Sequence, residues 1–98
     1  MTINKNAIGT QTTLEIIGRL DTTTSPELEA AVDACFADTQ TLILDFHGLE
    51  YISSAGLRVL LKAQKGMAQK GSMKVLNVNE TIMEVFEITG FSDILTIE

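Results

Sequence analysis

The chain has 98 residues, 45% of them apolar and 20% charged, and its 13 acidic against 7 basic side chains give a formal net charge of −6. This is the composition of one small globular domain, and its sign argues against non-specific nucleic-acid binding or docking on anionic lipid, which both need a basic footprint. No apolar run approaches the roughly 20 residues of a membrane span, Met1-Thr2-Ile3-Asn4-Lys5-Asn6 lacks a secretion signal's apolar core, and a lone cysteine, Cys35, with a lone histidine, His47, excludes an internal disulfide and leaves a structural zinc site short of ligands.

In chain order, Ile3 to Ile8 and Thr12 to Gly18 read as the strands of a hairpin, joined by a turn at Gly9-Thr10-Gln11. Leu14 and Ile16 mark one face of the second strand. The loop Leu20-Asp21-Thr22-Thr23-Thr24 leads into a helix from Ser25 to about Ala37. Thr24 or Ser25 can cap that helix, Pro26 suits its first position, and Glu27 suits the positive end of its dipole. Leu28, Ala31, Val32 and Cys35 recur at i, i+3, i+4 and i+7, so they form its apolar stripe.

Thr41 to Phe46 is almost wholly apolar, which predicts a central strand covered on both faces. His47-Gly48-Leu49-Glu50 reads as a turn, and Tyr51 and Ile52 approach a second helix that begins near Ser54. Its expected buried stripe is Leu57, Leu60, Leu61, Gln64, Met67 and Ala68, its wet side Arg58, Lys62, Lys65 and Gln69, and its C′ residue Gly71. Met73 to Val78 is the next strand. Asn79 caps a short third helix, Glu80 to about Thr89, with Ile82, Val85 and Phe86 inward and Gly90 at its end, and Ile94 to Ile97 reads as a last short strand.

The order β-β-α-β-α-β-α-β over residues 1–98 predicts one domain with a mostly parallel sheet and right-handed crossovers. Ligands of such sheets sit beyond the carboxyl ends of the strands, which selects two loops, Asp21 to Thr24 and His47 to Ser54. The second places two hydroxyls, Ser53 and Ser54, at the mouth of a helix, where unpaired N–H groups and the macrodipole favour an anion. A serine there is either a plain cap, with a contribution of about 1 kcal/mol, or a phosphoryl acceptor.

Leu44-Asp45-Phe46, Gly48-Leu49 and Tyr51-Ile52-Ser53-Ser54-Ala55-Gly56-Leu57 together resemble the signature of the STAS domains, the sulfate-transporter and anti-sigma-factor-antagonist family. Gly18-Arg19-Leu20-Asp21 matches the family's Gly-x-Leu-Asp before the first helix, and Val85-Phe86-Glu87-Ile88-Thr89-Gly90-Phe91 its late apolar element. The resemblance spans essentially the whole chain. It implies an α/β fold: a single STAS-like domain with a mixed, mostly parallel sheet of four to five strands, an N-terminal antiparallel hairpin and three or four helices.

It also implies a non-enzymatic binding switch. In that family an anti-sigma factor that is also an ATP-dependent serine kinase phosphorylates the antagonist, and a phosphoserine phosphatase reverses the step. Aligning Gly56-Leu57 puts the acceptor at Ser54, with Ser53 the runner-up because it stands where the family typically has Asp. The implied partner surface comprises Asp21, Thr22, Thr23, Ser53, Ser54, Gly56, Leu57 and Arg58, and the exposed Arg58, Lys62 and Lys65 could form a docking edge. No cofactor or metal is expected, no nucleic acid and no membrane span; a cytoplasmic protein, monomeric when free, is the expectation. The alternatives are a STAS module of another pathway (stress, motility or biofilm, lipid transport) and a small serine hydrolase built on Asp45, His47 and Ser54. The second lacks the Gly-x-Ser-x-Gly elbow and room for a pocket.

Overall fold

The computed structural model describes residues 1–98. Thr2–Ile8 (β1) and Gln11–Leu20 (β2) form the hairpin, in register from Thr2 opposite Ile17 to Ile8 opposite Gln11. Ser25–Phe36 (α1) crosses to Thr41–Asp45 (β3), which lies parallel to β2. Leu49–Ile52 (β4) and Ser54–Ala68 (α2) precede Ser72–Leu76 (β5), which lies parallel to β3 on its far side. Glu80–Thr89 (α3) and a 3-10 turn at Phe91–Asp93 complete the chain. The sheet order is β1-β2-β3-β5, and β4 pairs parallel with the end of β2. β2 is ten residues long and serves both neighbours: Gln11–Glu15 pair with β3, Gly18–Leu20 with β4.

The expected α/β architecture and hairpin are present, and five local expectations are corrected. β3 is central but is fully covered on one face only: Leu42 and Leu44 are buried while Thr41, Ile43 and Asp45 are half-buried. The reason is topological. The crossovers β2-α1-β3 and β3-α2-β5 step in the same direction, and right-handed crossovers that do so lay both helices on one face. Leu14, Ile16, Leu42, Leu44, Met73 and Val75 point into that layer, where they join one cluster with Leu28, Val32, Cys35, Leu60, Met67, Ile82 and Phe86. The opposite face of the sheet stays open to solvent.

The segment read as a turn contains β4, too short and irregular in burial for an alternating pattern. The last expected strand shrinks to a single bridge, Val75 to Ile97, because the 3-10 turn occupies residues before it. On α2 the buried positions are Gly56, Leu57, Leu60, Ala63 and Met67; Leu61 and Gln64 are half-buried and Ala68 exposed.

Gly71 is not the left-handed C′ residue of α2, which ends on Gln69. Its lack of a side chain is needed for a close approach, since a Cβ there would lie 1.8 Å from the carbonyl oxygen of Gln40. The amide of Ser72 donates to that same oxygen at 2.9 Å, so the backbone cannot retreat without losing the bond that starts β5. Gly71→Ala is expected to destabilise the fold by about 2–3 kcal/mol, read from urea unfolding midpoints; a change below about 0.5 kcal/mol contradicts this account.

Candidate functional site

The site is built where two parallel strands end together. Leu20 closes β2 opposite Ile52, which closes β4, and the amide of Ser53 donates to the Leu20 carbonyl at 2.9 Å. The chain leaves these ends as two segments: Asp21–Thr24 leads into α1, and Ser53-Ser54 opens α2.

Asp21 organises the first segment. Its Oδ1 accepts from the amides of Thr23 (3.0 Å) and Thr24 (3.1 Å), and the Thr24 hydroxyl donates to the Arg19 carbonyl at 2.7 Å. Thr24 is the cap residue of α1 by position, yet its side chain makes no capping bond, because the hydroxyl is used to close the loop. The amide and hydroxyl of Ser25 both donate to the Asp21 carbonyl. The bond from the Thr24 amide is foremost in holding the Asp21 carboxyl below its ordinary value; partial burial opposes it, and further bonds from Thr24 and Thr23 and the Arg19 charge add to it.

In the second segment Ser53 is the cap of α2, and its Oγ accepts from the Gly56 amide at 3.4 Å. Ser and Asp are comparably good caps, so Ser53 keeps the capping role available to an Asp at that position. Ser54 is the first helical residue and is exposed. Its hydroxyl has no hydrogen-bond partner within the protein, and the first helical amides have no intrahelical acceptor. The first turn of α2 contains no acidic residue. A dianion on Ser54 would meet the positive end of a helix dipole.

Of the other expected site residues, Thr22, Thr23 and Arg58 are exposed, and Asp21 and Ser53 half-buried. Gly56 and Leu57 are buried, which corrects their expected place on a partner-facing surface. A Cβ at Gly56 would lie 2.8 Å from Leu20 Cγ and 2.9 Å from Ile52 Cγ1, so this glycine seats α2 directly on the paired strand ends. Leu57 belongs to the core. On the basic face Lys62 bonds Glu29 of α1 at 2.9 Å, and that bond raises its pKa; Arg58 and Lys65 remain exposed.

Sequence reasoning passed over Arg19 and undervalued Tyr51. The Arg19 guanidinium lies 4.2 Å from the Tyr51 ring centre and 3.9 Å from Asp21 Oδ2, so the two side chains form a rim beside the strand ends. Their positions on adjacent strands β2 and β4 were the missing signal, and β4 was not visible as a strand. His47, read from sequence as a turn residue, is exposed and has its Nδ1 3.3 Å from Asp45 Oδ1 and 3.5 Å from Glu15 Oε2. No hydrogen bond links it to Ser54, so the hydrolase constellation is not assembled.

The chain belongs to the STAS domain family, whose model matches residues 2–98. It is 32% identical over 85% of its length to the anti-sigma-B factor antagonist of Listeria monocytogenes, 75% of which is covered. It is 40% identical over 72% of its length to BtrV of Bordetella bronchiseptica, a candidate anti-sigma factor antagonist by name; the match spans 60% of that relative's length. Among solved structures, the Bacillus antagonist SpoIIAA superposes with a TM-score of 0.78 in its unphosphorylated form, covering 99% of this chain and 87% of SpoIIAA at 18% identity. The phosphorylated form gives the same TM-score at 19% identity, with 99% and 91% covered. No helix is long and apolar enough to cross a membrane.

Because the Asp21 carboxyl is depressed in the fold, its stabilising contribution is present above the ordinary carboxylate range and is lost as pH falls through the folded value. Asp21→Ala is therefore expected to lower the melting temperature at pH 7, and the gap from the parent chain to narrow steadily on acidification below about pH 4. A gap that is constant or widens on acidification, in melts followed by circular dichroism, contradicts this role.

Proposed function

We propose that this chain is an anti-sigma factor antagonist that works as a phosphorylation-controlled binding switch. With Ser54 unmodified it binds an anti-sigma factor and so releases the sigma factor. Phosphorylation of Ser54 by that partner, acting as an ATP-dependent serine kinase in the cytoplasm, ends the binding, and a phosphoserine phosphatase restores it. The chain itself performs no catalysis. The relatives' names support the partner class.

One observation carries the choice of residue: Ser54 is exposed and unbonded at the start of α2, whereas Ser53 is engaged as the cap. Phosphate adds about −1.5 to −2 charges and three acceptor oxygens. The helix end can hold that group by its free amides, so the fold need not change. SpoIIAA supports this, since its two forms match this fold equally well. The partner senses the difference instead. A surface fitted to a small neutral hydroxyl would have to bury an unpaired dianion. In this reading Asp21, Thr22, Thr23, Ser53 and Arg58, on the two segments that leave the paired strand ends and on the start of α2, are the partner-facing set, and the Asp21 carboxylate would add to the negative potential that phosphate creates.

Incubation with the cognate kinase and ATP is expected to add one phosphate to the parent chain and none to Ser54→Ala, read by intact mass. Ser54→Asp is expected to weaken the partner complex by about 10²–10³-fold, equivalent to roughly 2.7–4.1 kcal/mol, with a nearly unchanged melt. Phosphorylation that persists in Ser54→Ala, or a Ser54→Asp variant that binds normally, rejects the proposal.

A further inference from the structure

The open face of the sheet carries a second constellation, remote in role from the serine switch. Glu15 of β2 and Asp45 of β3 are direct register partners. Like charges placed opposite each other on adjacent strands repel, so this pairing is unfavourable without a cation. The cationic side chain of β5 on this face does not serve, because Lys74 pairs with Glu98 at 3.5 Å. What stands between the two carboxylates is the imidazole of His47, with its Nδ1 3.3 Å from Asp45 Oδ1 and 3.5 Å from Glu15 Oε2. One donor atom from each of the three residues lies within 4.8 Å of the others. We propose that Glu15, Asp45 and His47 form a binding site for one divalent transition-metal ion of the zinc type.

The spacing fits that chemistry. Donor atoms about 2.0–2.2 Å from a tetrahedral zinc stand roughly 3.3–3.6 Å apart, and the two separations from His47 are 3.3 and 3.5 Å. One imidazole nitrogen with two carboxylates suits zinc-type ions; magnesium and calcium take all-oxygen shells. The flanking groups orient the carboxylates as outer partners of metal ligands do. Asn4 Nδ2 donates to Glu15 Oε1 at 2.7 Å, which leaves Oε2 facing His47. Asn77 Nδ2 and the His47 amide donate to Asp45 Oδ1, each at 3.0 Å, and hold that carboxylate beside His47. Asn77 holds its position from a left-handed backbone at φ +58°. His47 is half exposed, so water can complete the coordination.

A bound ion would neutralise two opposed charges and pin the β3–β4 connection to β2. That connection is anchored to β2 at Gly18, whose amide donates to the Gly48 carbonyl at 2.9 Å, and it leads through β4 to Ser54.

The untagged chain is titrated with zinc chloride and separately with magnesium chloride by calorimetry, while the imidazole resonances of His47, the only histidine, are followed by NMR. Expected are one saturable zinc per chain at micromolar concentration, no magnesium binding, and His47 resonances that shift with the same midpoint as the heat. Glu15→Gln and His47→Ala are expected to weaken zinc binding at least 10-fold with an unchanged far-ultraviolet spectrum. Lack of saturable zinc heat overturns the proposal, as do unmoved His47 resonances or undiminished affinity in both variants. If a variant fails to fold, the His47 resonances of the parent chain decide alone.

Discussion

The register between the ends of β2 and β4 is the constraint on which the site depends. Leu20 and Ile52 finish their strands side by side, and the bond from the Ser53 amide to the Leu20 carbonyl ties the two exits together. Gly56 then lets α2 sit on those same two side chains without a gap. A shift of one residue in this pairing would turn every side chain of β4 to the other face. It would lift the start of α2 off Leu20 and Ile52 and separate Ser54 from the Asp21 loop. The position of one hydroxyl therefore rests on the buried end of a three-residue ladder, from Gly18 to Leu20.

Electrostatics gives that hydroxyl its character. The chain carries a net charge of −6, yet the first turn of α2 has no acidic residue and Arg58 follows one turn later. A helix start free of acidic side chains can accept an anion through its own amides without a separate binding cradle. The division of labour between two adjacent serines is physical too. Ser53 satisfies a helix amide, and Ser54 makes no hydrogen bond within the protein, so a change at Ser54 leaves the cap in place. Asp21 is committed in the same way, to two amides of its own loop, so it presents a fixed charge rather than a mobile one.

One-sided packing shapes the rest of the surface. Since both crossovers step in one direction, the helices share a face and the core lies wholly between them and the sheet. The other face is left to residues that tolerate water, and it is there that Glu15, Asp45 and His47 meet with Asn4 and Asn77 beside them. These residues are scattered in sequence and drawn together by strand register alone.

Much was legible in the residues themselves. Periodicity marked α1 through Leu28, Val32 and Cys35, and caps marked α3 through Asn79, whose side chain accepts from Ile82, and Gly90, which closes it at φ +83°. These signals are local, because a helix writes its turn and its ends into neighbouring residues. The Ser53-Ser54 pair and the Asp21 loop could likewise be placed at strand ends from sequence, and the motif pointed to the family. Left to tertiary structure was everything that depends on a distant partner. β4 is a strand only because β2 extends past β3 to receive it; Gly71 is required only because Gln40 lies against it; and Gly56 and Leu57 are buried only because α2 descends onto Leu20 and Ile52. The roles of Arg19, Tyr51 and His47 also waited for the fold, since each is defined by a side chain on a neighbouring strand, and the sequence alone does not fix a pairing between strands.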